Sequence, residues 1–365
     1  MTTAAEPATV EVGPRPARRA DRRLLLRLLL LLLQRYGTLL ILLGLCLVFT
    51  VIGPWRTSRE ACNLWQQLGE LSLVRNGQVC QPVFASQVNL LNLVRQVSVI
   101  GIVALGEMLV ILTGGIDLGV GSIVGFSGVV AAALQRNNAG LGPTLALPLL
   151  IGALTGLVVG ILVTRGNIPS FVATLGVLAC LQGATLVFTN AQPITGLKED
   201  FRFVGTGYVG AIPLPIVIYA VAIAAAAVLL GRTSLGRSIY AIGGNESAAR
   251  LSGIRVDLVK TAVFVLSGLG AALGALILTA RLNSGQPQAG QGYELDAIAS
   301  VVIGGTSLSG GRGTVFGTVA GALLIGVLSN GLVLMNVSPY YQPIIKGAII
   351  VGAVLLDQLS RRRSR

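Results

Sequence analysis

The chain has 365 residues, of which 53% are hydrophobic and 11% are charged, and its mean hydropathy is +0.80. Soluble proteins carry about 25% charged residues, so this composition excludes an ordinary soluble enzyme. The formal net charge is +13 at pH 7, but aromatic residues make up only 5% of the chain. Because no aromatic surface is interleaved with the basic residues, we assign the charge to membrane orientation and lipid headgroups, not to nucleic acid.

The first segment, residues 1–35, is basic and then rich in leucine. A leucine run after basic residues resembles a secretory signal, but no small-residue cleavage site follows it. We therefore predict a cytoplasmic tail with an interfacial extension over 1–35, followed by an uncleaved first span. The arginines that carry this charge are Arg15, Arg18, Arg19, Arg22, Arg23 and Arg27.

Apolar stretches of about 17–25 residues recur along the rest of the chain, and each is long enough to cross about 30 Å of hydrocarbon. Backbone polar groups in lipid must be paired internally, which favours helices. The sequence therefore predicts an all-α fold, a polytopic transmembrane helical bundle of about ten spans, with its membrane domain over 36–357. The predicted spans are 36–53, 97–113, 117–135, 144–164, 169–188, 213–230, 261–280, 294–309, 313–333 and 342–357.

Three basic regions agree on the orientation of this bundle. They are the tail at 1–35, the loop at 231–260 and the tail at 358–365. Loops rich in Lys and Arg stay on the cytoplasmic side, so both termini and the 231–260 loop are predicted to be cytoplasmic. The segment 54–95 is then an external loop.

Four cysteines are present. Cys46 and Cys180 lie in apolar spans, where a cysteine packs as a small side chain. Cys62 and Cys80 both lie in the predicted external loop. A disulfide between them in an oxidising compartment and two free thiols in a mobile loop are both open interpretations.

Two glycine-dense breaks interrupt apolar stretches. We call residues 113–117 the first glycine break and residues 304–313 the second glycine break. Broken apolar segments in two halves of a membrane protein are the best sequence indication of a substrate path. The candidate residues of that path are Glu107, Gly114, Gly115, Asp117, Ser122, Asn283, Glu294, Asp296, Gly304 and Gly305.

The acidic residues among these candidates have structural interpretations as well. Asp117 is interpreted first as the N-cap of a helix that starts at Leu118, with a sugar contact or support of the first glycine break as alternatives. Glu294 and Asp296 are predicted to begin a helix near the external mouth. Glu107 has no local capping role, so we expect an interior polar contact.

The loop from Gly231 to Lys260 is a basic, polar island between two apolar stretches. Within it, Asn245 is a favoured N-cap for a short helix, and Gly253 is a favoured stop signal. A short amphipathic helix at this position is suited to docking a soluble partner. The chain has no G-x-x-x-x-G-K-[ST] phosphate loop and no histidine, so we predict neither ATP hydrolysis, nor a cofactor, nor a metal site.

Three motifs in order resemble one known family. They are GGIDLGVGSIVGFSGVVAA from Gly114, GRSIYAIGGNESAARLSGI from Gly236 and GYELDAIASVVIGGTSLSGGRG from Gly292. The chain resembles the ribose/xylose/arabinose family of ATP-binding cassette (ABC) sugar permeases. Outside the three motifs the resemblance is less dense, and it extends from about Asn89 to Asp357.

This resemblance implies a permease subunit of a monosaccharide importer in the bacterial cytoplasmic membrane, not an enzyme. It also implies three kinds of partner: an identical or related second permease subunit, cytoplasmic ABC ATPase subunits and an extracytoplasmic sugar-binding protein. The implied contacts to the ATPase are Gly243, Gly244, Asn245, Glu246, Ala248, Ala249, Ser252 and Gly253.

Two other classes of protein remain as alternatives. An ion-coupled secondary transporter or facilitator needs ionisable residues at the membrane midplane, for which Glu107 and Asp117 are the candidates. A membrane scaffold without transport activity does not account for the glycine breaks or the polar loop.

Overall fold

The structure is a computed structural model that describes residues 37–56, 61–62, 74–75, 78–338, 340–349 and 351–352. The described part is mostly helical, which confirms the predicted helical architecture. The predicted tails at 1–35 and 358–365 lie outside the described residues.

The helices follow one another with short connections. They are α1 (Gly37–Ile52), α2 (Gln87–Leu112), α3 (Val120–Arg136), α4 (Leu141–Thr164), α5 (Ser170–Thr189), α6 (Glu199–Thr206), α7 (Leu214–Arg232), α8 (Ser234–Gly244), α9 (Glu246–Leu251), α10 (Val256–Leu282), α11 (Tyr293–Ile303), α12 (Val315–Leu334) and α13 (342–349). Among the described residues, six helices are long and apolar enough to cross a membrane: α2, α4, α5, α7, α10 and α12. The apolar helices α1 and α3 are shorter.

Local capping explains where several helices start and stop. The hydroxyl of Ser86 accepts a hydrogen bond from the Asn89 amide at the start of α2, and Thr314 does the same for Gly317 at the start of α12. Such side chains pair amide groups that the first helical turn leaves free. Helix α10 ends at Asn283, which adopts the left-handed conformation that often terminates helices.

In the described connections, nine two-residue strands form small antiparallel pairs. They are β1 (Trp55–Arg56), β2 (Ala61–Cys62), β3 (Val74–Arg75), β4 (Gln78–Val79), β5 (Gln81–Pro82), β6 (Ile194–Thr195), β7 (Tyr208–Val209), β8 (Ile212–Pro213) and β9 (Ser284–Gly285). Strand β1 pairs with both β2 and β5, β3 pairs with β4, and β7 pairs with β8. The β6–β9 pair joins the connection after α5 to the segment after α10, with Ile194 opposite Gly285. These pairs are additions to the predicted all-α fold.

The cysteines in the apolar spans and Cys80 of the predicted external loop differ in their bonding. Cys46 and Cys180 are free thiols, whereas Cys80 is disulfide-bonded. The strand register places Cys62 opposite Trp55, and Trp55 in turn lies opposite Pro82. The pairing of Cys62 with Cys80 stays a prediction.

Helices α4 and α10 pack closely through glycine. A Cβ atom on Gly152 would meet the carbonyl oxygen of Gly268, and one on Gly156 would meet that of Phe264. Gly160 approaches the backbone of Thr261 in the same way. Small residues at four-residue spacing let helix backbones approach closely in lipid, and these three glycines have that spacing. We call this contact the α4–α10 glycine seam.

Two predicted boundaries were wrong. The predicted span 294–309 is the 11-residue helix α11, which ends at Ile303 and is about 16 Å long at 1.5 Å per residue. It stops there because Gly305 has φ +88, a conformation that a helix does not continue. The predicted external loop 54–95 also extends too far, since α2 begins at Gln87.

The glycine seam predicts that Gly152→Val destabilises the protein. Valine would press side-chain atoms into the Gly268 backbone, and overpacking of this kind costs about 1–3 kcal/mol or more. Gly142→Val in the same helix is the matched control, because nothing lies within 4 Å of a Cβ atom there. Thermal unfolding in detergent should show a lower midpoint for Gly152→Val alone, and equal midpoints for the two variants would contradict the seam.

Candidate functional site

The loop between α7 and α10 folds into two consecutive helices, α8 and α9. Asn245 caps α9 as predicted, because its side-chain oxygen accepts a hydrogen bond from the Ala248 amide at 3.0 Å. Gly253 follows the helix with φ +84, which confirms it as the stop signal. Ser252 closes the last turn by donating its hydroxyl to the Ala248 carbonyl at 2.9 Å.

Ion pairs attach α9 to the start of α10. The ammonium group of Lys260 lies 2.6 Å from a carboxylate oxygen of Glu246, and the guanidinium of Arg250 lies 2.8 Å from Asp257. Arg250 also lies 3.6 Å from Glu246. Each exposed pair contributes little alone, but together they fix the direction of α9 relative to α10.

Two of the eight implied ATPase contacts, Gly243 and Ala249, pack against other parts of this chain. Ala249 is only 5% exposed and packs inward against Ile242 and Val256, so it does not lie on the outer surface of α9. Leu251 is 90% exposed at the end of the same helix. Because helical neighbours point in different directions, the outward apolar contact of this helix is Leu251.

Helix α8 was not predicted, although the sequence carries a signal for it. Leu235, Ile239 and Ile242 recur at spacings of four and three residues, as on the buried face of an amphipathic helix. Ile239 and Ile242 are buried, and the hydroxyl of Thr233 caps the helix by accepting from the Gly236 amide.

Helix α8 contacts the second glycine break and Leu112, the residue just before the first glycine break. A Cβ atom on Gly243 would meet the carbonyl oxygen of Leu112 and the backbone of Gly311. The Gly311 amide donates to the same Leu112 carbonyl at 3.0 Å. A Cβ atom on Gly310 would also meet the Gly114 amide nitrogen, so the two breaks lie in contact. The Tyr240 hydroxyl donates to the Gly313 carbonyl at 2.9 Å, and burial raises the pKa of this phenol, which keeps it protonated. Gly244, the next residue, faces open space.

A buried polar cluster holds the first glycine break in shape. Glu107 is 0% exposed and Asp117 is 2% exposed. The Asp117 carboxylate accepts from the Gly119 amide and from the Ser267 hydroxyl, both at 2.9 Å. A carboxylate oxygen of Glu107 accepts from the Asp117 amide at 3.1 Å.

This cluster decides between the alternatives for Asp117. Helix α3 begins at Val120 with Gly119 as its N-cap, so the predicted capping of a helix at Leu118 was wrong. Asp117 instead supports the break, and the interior polar contact predicted for Glu107 is confirmed.

A cavity of about 400 Å³ opens beside the first glycine break. Gly114 and Gly115 line it together with Asn167, Ser170 and Lys260. Because Lys260 is paired with Glu246, this cavity lies at the α8–α9 end of the bundle.

A second cavity, of about 60 Å³, brings together two candidates that are far apart in sequence, Ser122 and Glu294. Gln182 and Thr185 of α5 and Gln291 also line it. Gln182 was not among the candidates from the sequence. Its amide side chain within an apolar span was the feature that could have indicated it. We call this cavity the polar cavity.

The other path candidates lie elsewhere. Asn283 terminates α10, and Asp296 is buried in an ion pair with Lys346 at 2.8 Å. Gly304 packs against the carbonyl of Gly317, whereas Gly305 faces open space. The ten candidates therefore do not form a single site. Within the described ranges, no group of three or more His, Cys, Asp or Glu residues could hold a metal ion.

The six long apolar helices fit a protein that crosses a membrane several times. Residues 89–354 match the family model described as branched-chain amino acid transport system / permease component. The ribose import permease protein of Haemophilus influenzae is 48% identical over 280 residues, which is 76% of this chain and 87% of the relative. That of Bacillus subtilis is 48% identical over 297 residues, 80% of this chain and 91% of the relative.

A relative named for another sugar is also similar. The D-allose transport system permease protein of Escherichia coli is 40% identical over 287 residues, 78% of this chain and 87% of the relative. No solved structure matches the chain. The chain belongs to this family of transport-system permease components, and its resemblance to the sugar permeases is confirmed.

The buried cluster predicts that Asp117→Leu destabilises the protein by about 1–3 kcal/mol for each hydrogen-bond donor left without a partner. Asp117→Asn is the control, because its side-chain oxygen still accepts from the Gly119 amide. Thermal unfolding of both variants in detergent measures the difference. A leucine variant as stable as the asparagine variant would show that the break does not depend on this carboxylate.

Proposed function

We propose that this chain is the membrane-spanning permease subunit of an ABC importer for ribose or a closely related monosaccharide. The observation that carries the proposal is 48% identity to ribose import permeases over three quarters or more of the chain. The exposed, capped helix α9 supports it, because an importer without its own phosphate loop needs a docking surface for a separate ATPase.

The proposed assembly has three kinds of partner. A second permease subunit, identical or related, completes the translocation path. Cytoplasmic ABC ATPase subunits dock at α9, and an extracytoplasmic sugar-binding protein delivers the sugar. The six long apolar helices fit a multi-pass protein of the bacterial cytoplasmic membrane.

The proposed membrane topology has about ten crossings and both termini in the cytoplasm. Arg237, Arg250 and Arg255 support a cytoplasmic position for the loop of α8 and α9. Successive spans cross the membrane in opposite directions, so the connections after α5 and after α10 both lie on the external side in this topology. The β6–β9 pair joins these two connections. In this topology α11 and the second glycine break together make one crossing.

The proposed coupling runs from α9 to both glycine breaks. Closure of the ATPase subunits moves α9, and the ion pairs of Glu246 and Arg250 carry α10 with it. Helix α8 moves at the same time and displaces both breaks through Gly243. Rigid-body motion of packed helices is a known form of such switching.

An ion-coupled secondary transporter is the weaker candidate. Its best residues, Glu107 and Asp117, accept hydrogen bonds from backbone amides and from Ser267. Both carboxylates therefore have a structural role in the first glycine break.

Reconstitution tests the proposed function. The purified chain should not hydrolyse ATP, and proteoliposomes that also contain the ATPase and sugar-binding subunits should take up ribose only with ATP. Uptake driven by an ion gradient without ATP would refute the proposal, as would ATP hydrolysis by the chain alone.

Leu251→Asp should weaken docking of the ATPase. A buried leucine contributes about 1.5–3 kcal/mol, so its replacement by a charge should lower the affinity about tenfold or more. Leu251→Met is the control, because it keeps an apolar side chain of similar volume. Co-purification measures docking, and equal ATPase recovery with both variants would exclude Leu251 as a contact.

A further inference from the structure

The segment between α10 and α11 enters the bundle instead of covering its end. Gly285 packs against Val129 and Ala132 of α3, whereas Gly290 packs against Gly121 near the start of the same helix. The distance from Val129 to Gly121 is about 12 Å along α3 at 1.5 Å per residue. Irregular backbone at membrane depth is stable only where it is buried in protein or lines an aqueous cavity.

The polar cavity lies where this segment meets α3, α5 and the first turn of α11. Glycines of α3 make room for it, since a Cβ atom on Gly121 would meet the Glu294 carboxylate and one on Gly125 would meet the Ala289 carbonyl. The position of Glu294 is set by its hydrogen bond from the Gly292 amide at 3.2 Å.

Two side chains of the polar cavity have free hydrogen-bonding capacity. Within the described part of the chain, the Gln182 amide has no protein hydrogen-bond partner. The Glu294 carboxylate accepts from the backbone amides of Gly292 and of Glu294 itself, which leaves lone pairs of its two oxygens available to a ligand. Thr185 donates its hydroxyl to the Leu181 carbonyl at 2.6 Å, which leaves its oxygen available as an acceptor. Gln182 supplies donors and an acceptor, and Glu294 supplies acceptors.

The cavity chemistry selects one class of ligand. Hydroxyl groups need both donors and acceptors, and Gln182 and Glu294 present both. The carboxylate of Glu294 opposes an anion such as a sugar phosphate by charge repulsion. Leu178, Pro287 and Ala289 line the remaining wall with apolar atoms that suit C–H groups.

We infer that the polar cavity is a hydroxyl-binding site for a neutral monosaccharide, in which Gln182 and Glu294 are the specificity-determining residues. This inference rests on the proposed function and assigns residues to its path. Ligand sites occupy about 300–1,000 Å³, so the present cavity of about 60 Å³ must widen to admit a sugar. Helix α5 forms one wall of this cavity, and its outer face, including Leu175 and Val187, is exposed.

Uptake by the complete complex in proteoliposomes tests the two residues. Gln182→Leu and Glu294→Leu should each lower ribose uptake about tenfold or more, since a lost hydrogen bond to a buried polar partner is worth about that factor. Leu175→Ala, on the outer face of α5, is the control and should transport ribose like the unaltered complex.

Thiol labelling separates binding from a structural role. In a background with Cys46 and Cys180 replaced by serine, a water-soluble thiosulfonate should modify Gln182→Cys, and saturating ribose should slow that reaction. Modification of Val187→Cys should not respond to ribose. If a leucine variant fails to assemble, the effect of ribose on the labelling of Gln182→Cys still tests whether the polar cavity binds the sugar.

The outcomes distinguish this inference from the proposed function. An unaltered complex that does not transport ribose would overturn both. Normal ribose transport together with unaffected leucine variants, or with labelling of Gln182→Cys that ribose does not slow, would overturn the inference alone.

Discussion

Three backbone segments meet without side chains between them at one end of the bundle, and the proposed coupling depends on that contact. Gly243 of α8 lies against the Leu112 carbonyl and Gly311, and the Gly311 amide donates to the same carbonyl at 3.0 Å. A side chain at position 243 would separate all three segments. Because interiors pack at near-crystalline density, α8 cannot shift without moving the ends of both glycine breaks.

The rest of the bundle makes this contact useful for coupling. The α4–α10 glycine seam packs two long helices closely against each other. Ion pairs of Lys260 with Glu246 and of Asp257 with Arg250 attach α9 to α10. Ser267 of α10 in turn donates to Asp117 in the first glycine break. In the proposed coupling, a displacement of α9 reaches that break along two routes, through α8 and through α10. Two discrete arrangements of such an element are what coupling between distant sites requires.

The sequence predicted features that depend on local chemistry and missed those that depend on tertiary contacts. Asn245 and Gly253 marked the bounds of α9 because capping and left-handed glycine are properties of a few neighbouring residues. The inward direction of Ala249 depends on Ile242 and Val256, and the role of Asp117 depends on Ser267, 150 positions along the chain. Span 294–309 was wrong for a different reason. It was drawn across the start of the second glycine break, and the helix stops at Ile303, where that break begins.

The most direct test of the coupling contact compares Gly243→Ala with Gly244→Ala in the reconstituted complex. Both change the same helix by one methyl group, but only the first adds it against the Leu112 carbonyl and Gly311. We predict that Gly243→Ala lowers sugar uptake about tenfold while ATP hydrolysis continues, because overpacking of about 1–3 kcal/mol falls on the contact itself. Gly244→Ala should keep the unaltered ratio of sugar transported to ATP hydrolysed. An unaltered ratio in Gly243→Ala would contradict transmission through α8.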